Sequence, residues 1–332
     1  MITLDEWQTR ANNTTPPDLP EPLTRKQFDK LTKPQQKAWL NQRQATVGLP
    51  WPTIITPQIS AILDDLDNSF EARDRKIGAL NGFILDGDSG IGKTTLIDTW
   101  AKETHRKLIA ANPERVDVEF TGYAPVISFN LPEKPSPATI LRRISDFIGI
   151  PRTKAGGLDW LRANTINHLK HLGTEVLIID EIQHIEFSGR KTTPAGIACL
   201  KDIGNALDIY MVFVGSNLKN TQLLSAETQE GASPFAARFQ TTELLPVVSP
   251  QIDTTWAAVI KAVEKNLRLI DHDNQLHIDA ADLLWESSNG RIRTLTDLIR
   301  RANHKAIRTG DEELTAEALD STTVDRLAHL AA

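Results

Sequence analysis

The pattern G-x-x-x-x-G-K-T spans Gly87 to Thr94, inside the stretch FILDGDSGIGKTT that runs from Phe83 to Thr95. Its residue types suit the grip of a phosphate chain. Gly87, Gly90 and Gly92 let the backbone curl until successive N–H groups point at phosphate oxygens. A helix that starts near Lys93 adds its positive end. Lys93 supplies a mobile cation for β- and γ-phosphates, and the Thr94 hydroxyl can ligate Mg²⁺. Asp88, Ser89, Ile91 and Thr95 complete the nucleotide-binding loop. The bland alternative is a chance glycine loop before a helix. Against it, every fixed position is present, after an apolar run and before an apolar-periodic segment, the context the motif needs.

A second group lies at Val176-Leu-Ile-Ile-Asp180-Glu181, four apolar residues followed by two carboxylates. The apolar run reads as a buried parallel strand. Its C-terminal end is where α/β sheets bind ligands. Asp180 is then expected to hold Mg²⁺ through water, and Glu181 to orient and deprotonate an attacking water. A third run, Ile209 to Val214, ends in Gly215-Ser216-Asn217. A polar side chain there can sense a γ-phosphate, and Ser216 and Asn217 both qualify. The other reading is a turn that merely ends a strand. Arg238 sits between Phe235 and Phe239; a lone arginine is ordinarily a solvated surface group, but these neighbours would fix it in place and the position suits an arginine finger reaching the next subunit's nucleotide.

These groups need a frame. The spacing predicts a helix over Lys33–Thr46, with Pro34 in its first turn. Another starts at Thr56-Pro57 and places Ile59, Ile62, Leu63, Leu66 and Phe70 on one face. The P-loop helix should run to about Lys107. A strand is expected over Ala124–Asn130, then a proline-rich loop and a helix capped by Ser136-Pro137. Further helices are expected over about 158–172 and 194–207, and Leu244–Val248 is expected to close the sheet. From about Pro250 the pattern is wholly helical. Residues 1–50, rich in proline and polar groups, read as an extended arm. Its Trp39 and Leu40 pack on the same molecule or dock on a partner. The expected domains are therefore this arm over 1–50, a nucleotide-binding α/β domain over 51–249 and a helical lid with tail over 250–332.

Composition narrows the class. The 332 residues are 40% hydrophobic and 24% charged, ordinary for a globular protein. Only one cysteine, Cys199, is present, which excludes an internal disulfide or a cysteine-based zinc site and reads as a small buried apolar residue. No window is long and apolar enough for a membrane span, and the N-terminus lacks the pattern of a signal peptide. The net charge of −6 argues against a wholly basic surface but not against a local basic strip. Arg300, Arg301, His304, Lys305 and Arg308 form such a strip at helical spacing, either a solvated face or a nucleic-acid or subunit contact.

The order of parts resembles the AAA+ ATPases, and within them the TniB/TnsC-type transposition regulators. The resemblance runs from about Trp51 to Val248 and rests on GDSGIGKTT, PVISFNLPEKPSPATILRRI, LGTEVLIIDEIQHI, FVGSN and SPFAARF. It implies a three-layer αβα domain with a parallel sheet, followed by a small α-helical lid. It also implies ATP and Mg²⁺ as ligands, with ATP hydrolysed to ADP and phosphate. Such proteins assemble as rings or helical filaments on duplex DNA, receive a target-selector protein, recruit a transposase and leave when ATP is hydrolysed. The setting implied is the bacterial cytoplasm, at the nucleoid. Carried onto this chain, Gly87 to Thr95 hold ATP, and Asp180 and Glu181 are catalytic. Ser216 or Asn217 is sensor 1, Arg238 the finger, and Arg293 or Arg291 sensor 2. Lys134, Arg152, Thr153 and Lys154 fall in the loops that face DNA. The lid after Pro250 departs from the family pattern, and the arm carries no readable motif. Two other functions share these motifs: a replication initiator or helicase loader, and a nucleotide switch in signalling or defence that binds no DNA.

Overall fold

A computed structural model describes residues 3–13, 18–49, 51–72, 82–116, 122–151, 156–185, 195–218 and 239–321. By its internal contacts the chain divides into two compact units. One comprises Met1–Thr14, Ile59–Ser89 and Lys93–Leu244; the other comprises Thr15–Gln58, Gly90–Gly92 and Leu245–Ala332.

The first unit is built on five parallel strands: β1 (Gly82–Asp86), β2 (Val126–Asn130), β3 (Val176–Asp180), β4 (Tyr210–Val214) and β5 (Phe239–Glu243). Their order across the sheet is β2-β3-β4-β1-β5. Every residue of β1, β3 and β4 is buried, as expected of parallel strands covered on both faces. The order has a direct consequence. Because β4 lies between β1 and β3, the chain leaving β4 at Gly215 emerges between the phosphate loop and the Asp180–Glu181 pair.

Helices cover the sheet in two groups. Pro137–Phe147, Leu158–His171 and Ala195–Leu207 pack on one another. Ser136 caps the first of them, its hydroxyl accepting the Thr139 N–H, with proline in the first turn as the sequence predicts. The other group is centred on Lys93–Ala111. There Phe70, Trp100 and Tyr210 form an aromatic cluster, and the Trp100 indole donates to Asp67 at 2.8 Å. The helix Leu4–Asn12 packs on the same element, with Trp7 edge-on to His105 at 4.9 Å.

The sheet is closed by β5, not by Leu244–Val248. Phe239 stacks on Phe213 at 5.0 Å, and β5 runs alongside β1 as far as Glu243. Pro246 has no N–H to continue the ladder. Next to it, Val247 N–H is taken by Gly290 O within the second unit.

The second unit is helical. Its core gathers Trp256, Val259, Ile260, Leu284, Leu295 and Ile299, with Trp51 and Ile54 packed against them. The stretch expected as an extended arm is largely helical, with Leu4–Asn12 and Arg25–Phe28 beside the expected Lys33–Thr46. The first two start with a reciprocal capping box, at Thr3/Glu6 and Thr24/Gln27, and at the third the Gln35 side chain accepts the Thr32 N–H. Trp39 and Phe28 pack around Ile270. Arg43 is buried, donates to Glu312 at 2.6 Å and to Arg268 O at 3.1 Å. Of the basic strip, Arg300 stacks over Trp51 at 4.6 Å, while Arg301, His304, Lys305 and Arg308 are exposed. Among the described residues, no helix is long and apolar enough to cross a membrane.

Candidate nucleotide site

Strand β1 delivers the chain to Gly87 at φ 148°, and the loop turns into its helix at Gly92 with φ 109°. Among the described residues a Cβ at Gly92 would meet nothing within 4 Å, so its glycine answers to backbone conformation. Lys93 opens the helix and is only 8% exposed. Its ammonium donates to Gly87 O and Asp88 O at 2.7 Å each, and to Ser216 Oγ at 2.9 Å. Burial holds the Lys93 pKa below the ordinary lysine value, with Asp180 and Glu181 opposing that shift. Its three bonds go to neutral oxygens, so an anion arriving in the loop offers stronger, charge-assisted partners.

Thr94 Oγ1 donates to Asp180 Oδ2 at 2.7 Å. Asp180 is 6% exposed and its other oxygen accepts the Glu181 N–H at 2.8 Å. Burial raises the Asp180 pKa, and the Thr94 hydrogen bond works against the rise. A hydroxyl and a buried carboxylate side by side form an all-oxygen pair of the kind that would suit a hard divalent cation such as Mg²⁺. Among the described residues there is no cluster of three or more histidine, cysteine or acidic side chains able to hold a metal alone.

Two further residues here were not among the predicted site residues. Asp86, at the end of β1, is 2% exposed and accepts the N–H groups of Gly87 at 2.7 Å and Leu218 at 3.0 Å. It ties the start of the phosphate loop to the chain leaving β4. Gln183 lies in the short turn after β3; its amide donates to Glu181 Oε2 and accepts the Ser216 N–H at 3.1 Å. An acidic residue directly before a loop glycine is the one signal that could have pointed to Asp86. Gln183 lies inside the stretch LGTEVLIIDEIQHI that carries the family resemblance, which was the signal available for it.

Of the predicted residues, the structure brings Lys93, Thr94, Asp180, Glu181 and Ser216 together. Asn217 adopts φ 58° beside Ser216. Lys134 is exposed, and its N–H donates to His184 O at 3.2 Å, next to the turn after Glu181. Arg238, Arg152, Thr153 and Lys154 lie outside the described residues. In the second unit, Arg291 caps the helix Ile292–Thr309. Arg293 projects a largely exposed side chain, while its backbone N–H donates to Gly90 O at 3.3 Å.

Residues 51–247 match the family model described as bacterial TniB protein. The chain belongs to the TniB family. No protein of curated function matches it in sequence. Among solved structures, this TniB-type chain is similar to the ORC2 protein of Aeropyrum pernix in its ADPNP–ADP complexes. The TM-score is 0.57 at 15% identity, over 82% of this chain and 70% of that one. It is likewise similar to Cdc6p from Pyrobaculum aerophilum, with TM-score 0.57 at 16% identity, over 84% and 70% of the two chains. At such identity the likeness shows the fold, an AAA+ architecture with its parallel sheet and helices. Family and fold together make the chain a TniB-type AAA+ ATPase.

Proposed function

We propose that this TniB-type chain is an ATP-dependent transposition regulator that assembles on duplex target DNA in the bacterial cytoplasm. There it receives a target-selector protein, recruits a transposase and is released when ATP is hydrolysed. The observation that carries the reading is the convergence of Lys93, Thr94, Asp180, Glu181 and Ser216 at one end of the sheet. Membership of the TniB family supplies the biological setting.

In this reading Lys93 leaves the loop carbonyls for the β- and γ-phosphates, and the loop N–H groups orient the chain of phosphates. Thr94 and Asp180 would hold Mg²⁺, which when bound neutralises charge on the phosphates. Glu181 takes the proton of the attacking water. Ser216, or Asn217 beside it, positions the γ-phosphate. Arg238 is proposed to complete the site of a neighbouring copy, and Arg293 or Arg291 to respond to bound nucleotide. A site completed by a neighbour makes ATP a glue between copies, and a repeated head-to-tail contact gives a ring or helix. DNA then adds salt-dependent phosphate contacts, with Lys134, Arg152, Thr153 and Lys154 as candidates.

Retention of duplex DNA on a filter, with and without a non-hydrolysable ATP analogue, tests the reading. The wild-type chain should retain DNA only with the analogue, and Lys93→Ala should not retain it at all. No retention by either protein would instead favour a nucleotide switch that binds protein alone. Retention confined to one specific origin-like duplex would favour a replication initiator.

A further inference from the structure

The general base proposed above, Glu181, occupies an unusual backbone position. Its φ is 61° and ψ 38°, in the left-handed region, where a non-glycine residue costs on the order of 1–3 kcal/mol. The turn Ile182–His184 that follows carries Gln183 back towards it. One end of the Gln183 amide donates to Glu181 Oε2. The other end accepts the backbone N–H of Ser216 at 3.1 Å. A side-chain amide has distinct donor and acceptor ends, so this pairing fixes which way it faces. Ser216 in turn receives the Lys93 ammonium on its hydroxyl at 2.9 Å.

Room for this amide has been cleared. A Cβ at Gly215 would stand 2.7 Å from Gln183 Oε1, closer than real contacts allow. The glycine before Ser216 therefore lets the amide reach the backbone of the strand end. Lysine, Ser216, glutamine and glutamate form one continuous hydrogen-bonded path along the rim of β1, β4 and β3.

We propose that Gln183 is the positioning residue for Glu181. It limits the carboxylate's rotation and references its place to Ser216, the same residue that meets the phosphate-binding lysine. This rests on the reading of Glu181 as the base. A glutamate has three side-chain torsions, and among the described residues the Gln183 amide is the hydrogen-bond donor that holds its carboxylate. Misplacement of a reacting group by about 1 Å lowers rate by roughly 100-fold.

The test is ATP hydrolysis by the full-length chain on duplex DNA with Mg²⁺. Gln183→Glu keeps the shape and the acceptor for Ser216 but replaces the donor with a second carboxylate. Gln183→Ala removes both ends. We expect kcat to fall roughly 10- to 100-fold in either variant. KM for ATP, affinity for a non-hydrolysable analogue and the melting temperature should stay at wild-type values. In a Glu181→Gln background, read by single-turnover hydrolysis, the Gln183 substitutions should add nothing, because they act through Glu181. The proposal is overturned if both variants keep wild-type kcat, if analogue affinity falls with the rate, or if the loss persists undiminished without Glu181. Should Glu181→Gln alone retain full activity, the base assignment fails and takes this inference with it. Should Glu181→Gln abolish hydrolysis while the Gln183 variants do not, only the role of Gln183 falls.

Discussion

The two units treat buried charge in opposite ways. In the sheet unit, Lys93 is buried against the carbonyls of its own loop, and burial holds its pKa down. In the helical unit, Arg43 is buried against a carboxylate, Glu312, whose Oε2 also faces the Ile270 N–H, and against the Arg268 carbonyl. The first arrangement leaves a cation that an incoming anion can satisfy better. The second already pairs its cation with a full carboxylate. A buried charge thus marks a site where its partners are weak and exchangeable, and marks structure where its partners are complete.

This contrast can be broken most sharply at the site. Glu181→Gln should bind ATP and hydrolyse it about 10²- to 10⁴-fold more slowly, the range of a general base, as read by phosphate release. Its melting temperature should change little, since the hydrogen bonds of buried Lys93 to Gly87, Asp88 and Ser216 are kept.

Next in size is the helical unit. Arg43→Ala strands the Glu312 carboxylate and should lower stability by about 3–5 kcal/mol, measured by denaturant unfolding. Replacing both, as Arg43→Met with Glu312→Leu, should recover part of that loss. A change under about 0.5 kcal/mol would mean that residues 18–49 are a loose tail, against the packing seen here.

A smaller effect tests a third kind of buried group, one kept neutral. His105 is 1% exposed, its ring nitrogens have no hydrogen-bond partner among the described residues, and burial lowers its pKa to about 4. Because the folded value lies below the unfolded one of 6.5, its contribution is fully present above pH 6.5. It is lost as pH falls from 6.5 towards 4, by about 3 kcal/mol in total. His105→Phe cannot titrate and should flatten that part of the stability–pH curve while keeping an aromatic against Trp7.

How much of this was legible in the sequence depended on the range of the interactions. The glycine loop, the paired carboxylates after β3 and the polar end of β4 were legible as patterns because each is a run of neighbours in the chain. The sheet order brings those three together, and nothing local contradicts it. The helices Leu4–Asn12 and Arg25–Phe28 were missed because the prolines around them dominated the reading. Their capping boxes, Thr3 with Glu6 and Thr24 with Gln27, were local signals and could have been used. The pairing of Arg43 with Glu312 spans 269 residues and left no local trace. Leu244–Val248 looked like a strand on hydrophobicity alone, and Pro246 should have counted against it.

Particle mass on DNA tests the central claim most directly. Purified chain would be sedimented with a duplex of several helical turns, with and without a non-hydrolysable ATP analogue. The account predicts many copies on each duplex with the analogue, none without it, and none for Lys93→Ala under either condition. A single particle of one chain's mass, unchanged by DNA at saturating nucleotide, would contradict it.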